Sequence, residues 1–363
     1  MKLKVKELNE SHSAEYRQFL TRPNNQAHQT FYHSYEWGEF MRIKAIKFVR
    51  FGVFDQDDQL IAVGQASLQK LKLGRFWYCP RGLAMDYSKP KTVKKAHQSV
   101  VDYFSDKDGA AFLRLDPNID RDDQLVKSID SCIPKPKQAA IFTQAERCWV
   151  VDLQPEDTDG VKQLAWLKEN GARSNVSRYL RKAARAGLTV RASESLDDLE
   201  IFISMINKLN SRKGGIGKHL DDHYRKQFNL MQPAGHQKIF LAEKDGEVLA
   251  CTYMAIYGNE ASYLHGASSD TQRDLSAPHS LHFETMKYLQ KNYPNIKRYN
   301  FWGIVGDKNR TPKHPRHGYS EFKRSFGGYK VHYMRSRDFV YNYPVWAASY
   351  AIDKYRIWKH KND

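Results

Sequence analysis

Cysteine is scarce: the chain carries four in 363 residues, Cys79, Cys132, Cys148 and Cys251, with no C-x-x-C spacing. Such a set makes neither a zinc ribbon nor a disulfide framework, and it fits a reducing compartment. Long apolar runs are missing too. No window approaches the roughly 20 apolar residues of a spanning helix, and the opening MKLKVKELNESH lacks the continuous apolar stretch of a secretory signal. The expectation is a cytoplasmic protein that at most touches a membrane surface from the cytoplasmic side. Several enzyme signatures are also absent. There is no G-x-S-x-G and no H-E-x-x-H, and no motif supports a cysteine nucleophile. Ser211 to His219 (SRKGGIGKH) approaches a phosphate loop but has Arg212 at the first glycine position and His219 in place of the hydroxyl, which argues against nucleotide hydrolysis. His314 and His317 share a proline-rich loop with no third ligand nearby, so no metal is expected. Acidic residues are in deficit, 41 against 58 Lys and Arg, a net charge of +17. That excess suits a polyanionic partner: nucleic acid, anionic lipid or a phosphorylated substrate.

Hydrophobic residues at 41% with 13% aromatics describe a packed globular chain, and 363 residues exceed one ordinary core. Two domains are expected, 1–147 with 335–363 and 148–334. The first half reads as a short strand over 2–8, a helix over 14–20, an aromatic cluster from Phe31 to Phe40, and strands over 48–54 and 60–68 around Asp55–Asp58. A strand ending at Pro80-Arg81-Gly82, a helix over 93–106 and a buried strand over 111–115 follow, then an acidic, lysine-rich excursion over 118–137. The second half repeats this order. A helical region over 160–187 breaks at Asn170-Gly171, a helix covers 196–209, and strands 239–243 and 247–257 meet at Lys244-Asp245-Gly246. The sheet continues over 261–264, a helix spans 277–290, and a strand starts at Tyr299. VRFGVFDQDDQLIAVGQ (Val49–Gln65) and KIFLAEKDGEVLACT (Lys238–Thr252) are both strand, acidic turn, strand, so the chain reads as two copies of one mixed α/β unit of acetyltransferase type.

Tyr299 to Gly328 concentrates the chemistry. A strand opens into a glycine-punctuated loop bearing Lys308, Arg310, Lys313 and Arg316, followed by a short helix with Phe322 and Phe326 at i and i+4. This is a wall for an anionic ligand or a solvated loop. Arg178, Arg181, Lys182 and Arg185, at i, i+3, i+4 and i+7, form one basic stripe. A solvated face and a phosphate-backbone contact both fit it. The glycines after Ser211, flanked by Arg212, Lys213 and Lys218, can seat a pyrophosphate. Asp116 ends an apolar strand (FLRLDP), where a carboxylate either caps a turn or handles a proton or an amine. The tail from Val340 to Lys361 sets Trp346, Tyr350, Tyr355 and Trp358 among cations, as a core-packing helix or a foot on an anionic membrane.

In order along nearly the whole chain, SYEWGEF, WYCPRGLAMDY, FLRLDP, RSNVSRYLRKAARAG, LNSRKGGIG, YLHGASS, SAPHSLHFETM, FWGI and GYSEFKRSFGG resemble the FemABX family, the aminoacyltransferases that build peptidoglycan interpeptide bridges. The resemblance implies an α/β (α+β) fold of two acetyltransferase (GNAT)-like domains with a cleft between them and, since only a short segment precedes the strand at Ile239, no coiled-coil arm. It implies transfer of an amino acid from aminoacyl-tRNA to the side-chain amine of the stem peptide, on a lipid II-type or UDP-MurNAc-pentapeptide precursor. Matched by motif, Lys323 meets the ester and its developing oxyanion, with Phe322 beside it. Asp116 lies near the incoming amine, Arg212 grips the precursor's phosphates, and Tyr263 falls at a cleft tyrosine. Some members carry a phosphate-binding lysine two residues after the tryptophan of SYEWGEF. Here that residue is Glu39, and Arg42 or Lys44 is the substitute.

An aminoacyl ester is already activated, so this chemistry needs no cofactor beyond the aminoacyl-tRNA co-substrate. A lysine ammonium would stabilise the tetrahedral anion, and the stripe Arg178, Arg181, Lys182 and Arg185 would hold tRNA. Two rivals are an acyl-CoA-dependent N-acyltransferase of the same fold and a non-catalytic module that binds tRNA or membrane through charge alone.

Overall fold

The computed structural model describes residues 3–154, 159–212 and 221–362, without the side chains of 212 and 360–362. It divides into two compact units, Met1–Glu146 with His332–Asp363, and Arg147–Val331.

Unit 1 runs β1 (Lys4–Glu7), α1 (Ser13–Thr21), α2 (Tyr35–Lys44), the hairpin of β2 (Phe48–Phe54) and β3 (Leu60–Leu71), β4 (Gly74–Cys79), β5 (Ala84–Met85), α3 (Pro90–Phe104), β6 (Phe112–Leu115), α4 (Gln124–Asp130) and β7 (Lys137–Gln138). Unit 2 runs β8 (Arg147–Asp152), α5 (Val161–Glu169), α6 (Asn175–Arg185), β9 (Thr189–Ser193), α7 (Leu196–Arg212), α8 (Asp221–Met231), β10 (Gln237–Lys244), β11 (Glu247–Tyr257), β12 (Glu260–Ser268), α9 (Ala277–Asn292), β13 (Arg298–Gly303), α10 (His317–Arg324) and β14 (Tyr329–His332). The chain then returns to unit 1 as β15 (Arg337–Val340) and α11 (Tyr343–Asn362).

The two sheets have the same plan. Unit 1 orders its strands β1-β2-β3-β4-β6-β15-β7, and unit 2 orders them β14-β8-β13-β12-β11-β10-β9. Each has a parallel pair, β4 with β6 and β12 with β13, bridged by α3 and α9 respectively. A parallel pair needs such a crossover, whereas the antiparallel neighbours β2–β3, β3–β4, β10–β11 and β11–β12 are joined by tight turns. The β10–β11 turn puts Asp245 and Gly246 at φ +50° and +78°, the left-handed pair that a two-residue hairpin requires. The sixth place in the plan is filled differently. β8 precedes its unit and pairs with β13, whereas β15 follows unit 2 and pairs with β6.

Alternation along the strands gives each unit 2 sheet face its own core. Phe240, Met254, Tyr299 and Phe301 join Leu281, Met286 and Leu289 of α9, while Ile239, Leu241 and Tyr253 join Phe202 and Ile206 of α7 and Phe228 of α8. In unit 1, Val93, Val100, Val101 and Phe104 of α3 cover Phe51, Val53, Trp77, Leu113 and Leu115. The ring of Phe104 lies 5.5 Å from that of Phe51 and 5.2 Å from that of Trp77. On the other side, α1 and α2 lie against β2 and β3.

Two sequence expectations change. Phe326 falls beyond α10, which ends at Arg324, although its ring still lies 5.4 Å from Phe322. The tail is one helix with two characters. Trp346 is buried on Phe112 and gives its indole N–H to Asp338 at 3.0 Å, whereas Tyr355 and Trp358 are 61% and 60% exposed. Among the described residues no helix is long and apolar enough to cross a membrane.

Candidate active site

The end of β13 and α10 build the centre of unit 2. Trp302 turns at φ +66°, Gly303 closes the strand, and α10 brings Lys323 back beneath it. Lys323 is fully buried, and its Nζ donates to the Gly303 carbonyl at 2.8 Å. The same Nζ lies 3.9 Å over the ring of Tyr319 and 5.6 Å from that of Tyr263. Burial holds the amine well below the ordinary lysine range, a shift opposed by Cys148 and reinforced by Arg316. The sequence points to a resting ammonium, but burial drives the amine toward its neutral form, against the carbonyl acceptor and the Tyr319 ring face, which both favour the charged form.

Tyr263 is buried on β12, edge-on to His282 of α9 at 4.6 Å. Its hydroxyl packs across Gly266, where a Cβ would stand 2.5 Å from that oxygen. This accounts for the glycine in YLHGASS. His282 bonds Tyr299 at 2.6 Å through Nδ1 and is pushed down to about 3, first by burial and then by His279 and Lys323. Phe322, adjacent to Lys323, faces the other way. With His279, Arg273, Ser276, Leu209 and Leu249 it walls a cavity of about 480 Å³ at the start of α9.

The double glycine of FKRSFGG anchors this helix. Gly327 and Gly328 have φ +77° and +95°, and a Cβ on Gly328 would lie 2.3 Å from the Val150 carbonyl oxygen. The close approach lets Gly328 N–H reach Asn170 O at 2.8 Å and lets the Trp149 indole reach Gly327 O at 2.6 Å. Glu321 ties the remaining pieces together. It takes Arg310 through both oxygens at 2.8 and 2.9 Å, Arg173 at 2.5 Å and Arg324 at 3.1 Å. The Arg310 hydrogen bond first, then the charges of Arg310, Arg324 and Arg173, hold its carboxyl at about 2 against burial.

In unit 1, Asp116 is 2% exposed at the end of β6. Its Oδ2 accepts from the Tyr78 hydroxyl at 2.9 Å and its Oδ1 from the Arg81 backbone N–H at 2.7 Å. Arg81 sits at φ +58°, so Asp116 also pins the Pro80-Arg81-Gly82 turn. Burial raises its pKa, while the charge and N–H of Arg81 and the Tyr78 hydroxyl pull the other way. Arg42 and Lys44 stand exposed at the end of α2, where Arg42 reaches Glu39 at 3.4 Å and Lys44 lies 5.2 Å from the Phe40 ring.

Lys323, Phe322 and Tyr263 are therefore brought together within unit 2, while Asp116, Arg42 and Lys44 belong to unit 1. Arg212 closes α7; its side chain and the glycine-rich segment 213–220 lie outside the described residues. Arg178, Arg181, Lys182 and Arg185 are exposed on α6, which buries Val176 and Ala183, and Lys182 pairs with Asp274 at 2.8 Å. Sequence reasoning missed Tyr78, Tyr319 and Glu321. The last two lie inside GYSEFKRSFGG, so that motif held the signal, but Tyr78 is marked only by its alternation with Trp77.

Two mixed sheets, each with a helix-bridged parallel pair, define a tandem α/β protein of acetyltransferase type. The FemAB family profile matches residues 12–243 and 232–354, and the chain belongs to the FemAB family. It is 30% identical over 153 residues to the lipid II:glycine glycyltransferase of Staphylococcus epidermidis, covering 41% of this chain and 36% of that protein. The match thus spans about a third of the relative's length. The crystal structure of FemX superposes with a TM-score of 0.79 at 16% identity, over 95% of this chain and 99% of that one. A tandem GNAT protein from the clavulanic acid biosynthesis pathway gives 0.51 at 11%, over 94% and 99%. Both likenesses concern the fold, which is a pair of GNAT-like units.

Proposed function

We propose that the protein is an aminoacyltransferase of peptidoglycan bridge formation. It takes an amino acid from aminoacyl-tRNA and joins it to the side-chain amine of the stem peptide on a muropeptide precursor. The observation that carries the reading is the buried amine of Lys323 beside Tyr319 and Tyr263, on the same helix whose Phe322 walls the cavity at the start of α9. Family membership and the named activity of the Staphylococcus epidermidis relative support it.

Attack by the amine forms a C–N bond and breaks the ester C–O bond. The attacking nitrogen must lose a proton and the departing ribose oxygen must gain one. Held toward its neutral form, Lys323 accepts the first proton and becomes the ammonium that faces the oxyanion. It then returns the proton to the leaving oxygen. Asp116 holds the acceptor amine, a carboxylate's natural partner. The ester supplies the activation, so the chemistry runs without a further cofactor. The exposed face of α6 (Arg178, Arg181, Lys182 and Arg185) contacts the tRNA backbone, with affinity falling steeply as salt rises.

The acceptor is the lipid-linked precursor, met at the cytoplasmic membrane face. Tyr355 and Trp358 are exposed with rings 5.9 Å apart, among Lys354, Arg356 and Lys359. Aromatic and cationic side chains together favour an anionic interface. The test offers labelled aminoacyl-tRNAs with lipid-linked and UDP-linked muropeptides and looks for a branched product by mass. Acetyl-CoA turnover without tRNA would establish an ordinary N-acyltransferase instead, and tRNA binding with no product would leave a binding module.

A further inference from the structure

Tyr78 and Asp116 form a buried pair on two parallel strands. β4 and β6 are in register with Tyr78 opposite Arg114. Alternation sets Phe76 and Tyr78 of one strand, and Phe112, Arg114 and Asp116 at the other, on the face turned away from α3. The row is built rigidly. Phe76 stacks on Phe112 at 4.7 Å, and Arg114 is gripped by both oxygens of Asp338 at 2.7 and 2.9 Å. Arg114 is thereby committed to its own carboxylate, and the side-chain hydrogen bond to Asp116 comes from Tyr78.

We propose that Tyr78 is a positioning residue for the transfer reaction, keeping the Asp116 carboxylate ionised and turned toward the acceptor amine. This rests on the role given to Asp116 above. A carboxylate has about four acceptor sites. Tyr78 and the Arg81 N–H take one on each oxygen, leaving the others for an incoming N–H. Tyr78 is 6% exposed, and burial together with the Asp116 charge raises its own ionisation, so it remains a donor throughout the neutral range. The other groups bearing on the pair are Cys79 at the end of β4, Arg81 from the turn after it, Arg114 on β6, Asp338 opposite it on β15, and Tyr32 from the turn before α2, with His33 of that turn acting on Arg81. None of these changes when the Tyr78 hydroxyl alone is removed.

The experiment compares pH profiles of kcat/KM for wild type, Tyr78→Phe and Asp116→Asn, alongside thermal melts and a ¹³C titration of the Asp116 carboxyl. A hydrogen bond to a charged group corresponds to about one to two pH units. Tyr78→Phe should move both the carboxyl titration and the acid limb of activity upward by that amount in a folded protein. An unmoved carboxyl titration overturns the proposal. An unmoved acid limb also overturns it where Asp116→Asn abolishes that limb. If the carboxyl moves but Asp116→Asn leaves the wild-type profile intact, the role of Asp116 in transfer is what fails, and Tyr78's role in the reaction falls with it. Should Tyr78→Phe not fold, 3,5-difluorotyrosine at position 78, a stronger donor of nearly the same shape, should move both readouts downward. No movement there is equally fatal.

Discussion

Glu39 accepts a hydrogen bond from the buried guanidinium of Arg50 at 3.0 Å, and that guanidinium lies 3.5 Å over the ring of Tyr35. Arg50 also donates to the Tyr35 carbonyl at 2.8 Å and stands opposite Gln65 in the β2–β3 register. The helix above has to be thin at that point. A Cβ on Gly38 would stand 1.8 Å from Gln65 Oε1 and 2.3 Å from Arg50 Nη2. Ser34 caps the same helix by accepting the Trp37 N–H at 3.1 Å. SYEWGEF is therefore a packing motif whose glutamate answers a buried arginine.

Glu39→Lys, which restores the lysine of the family pattern, should consequently destabilise unit 1. It removes the carboxylate partner of Arg50 and sets a second cation beside it. A cost of about 1–3 kcal/mol is expected, read as a lowered urea midpoint at unchanged slope. Adding Arg50→Gln should recover part of that loss in a double-mutant cycle. Strict additivity of the two losses would show that the pair is not coupled.

Lys323→Met separates activity from stability. The thioether chain fills most of the same volume and ends the desolvation penalty on a buried amine. Transfer should fall by about 100- to 1,000-fold, the range seen when a preorganised oxyanion partner is lost. The melting temperature should stay level or rise. Near-normal transfer would remove Lys323 from the chemistry, and a large drop in melting temperature would recast it as structural.

The fold was largely legible because its punctuation is local. Asp55–Asp58 and Lys244-Asp245-Gly246 mark their hairpins, and Asn170-Gly171 separates α5 from α6 with Gly171 at φ +87°. Lys323 and Phe322 were legible as a motif, but their divergence was not. One turns to the Gly303 carbonyl and the other to a cavity wall, and that depends on the entry angle of α10. Nor does the sequence reveal that Glu39 belongs to Arg50, since the two are joined only through the contact of α2 with the sheet. The Asp274 partner of Lys182 lies 92 positions along the chain, so the stripe on α6 reads as wholly unopposed until the chain is folded.

Gly328→Ala tests the anchor of α10. The residue would have to adopt φ +95° with its methyl 2.3 Å from the Val150 carbonyl oxygen. Left-handed strain alone costs about 1–3 kcal/mol, and the clash with backbone adds to it. The expected result is a loss of at least about 2 kcal/mol, with transfer reduced because Lys323 rides on the same segment. Gly318→Ala is the control: no atom stands within 4 Å of its Cβ position, so it should be tolerated. Equal stability of the two variants would contradict this account of the double glycine.

Acid should weaken the protein in two separate windows. His33, His97 and His279 are pushed down to about 4 and His282 to about 3, with burial as the leading cause in each. Below their ordinary value near 6.5, the unfolded chain takes up protons that the folded chain refuses. The stability linked to these neutral imidazoles is therefore complete above about pH 6.5 and drains away as pH falls toward 4 to 3. Glu321 behaves as a depressed carboxyl. Its contribution is intact above its ordinary value near 4.5 and is lost as pH falls through about 2. Urea unfolding at closely spaced pH values should show stability already declining between pH 6 and 5, before the carboxylates titrate. Each proton taken up on unfolding adds about 1.4 kcal/mol per pH unit to the slope. His97→Gln and His282→Gln should each flatten that slope by up to one proton, even where they lower stability at neutral pH. A flat profile from pH 7 to 5 would mean that these imidazoles carry their protons in the folded state, and the buried neutral network behind Lys323 would have to be redrawn.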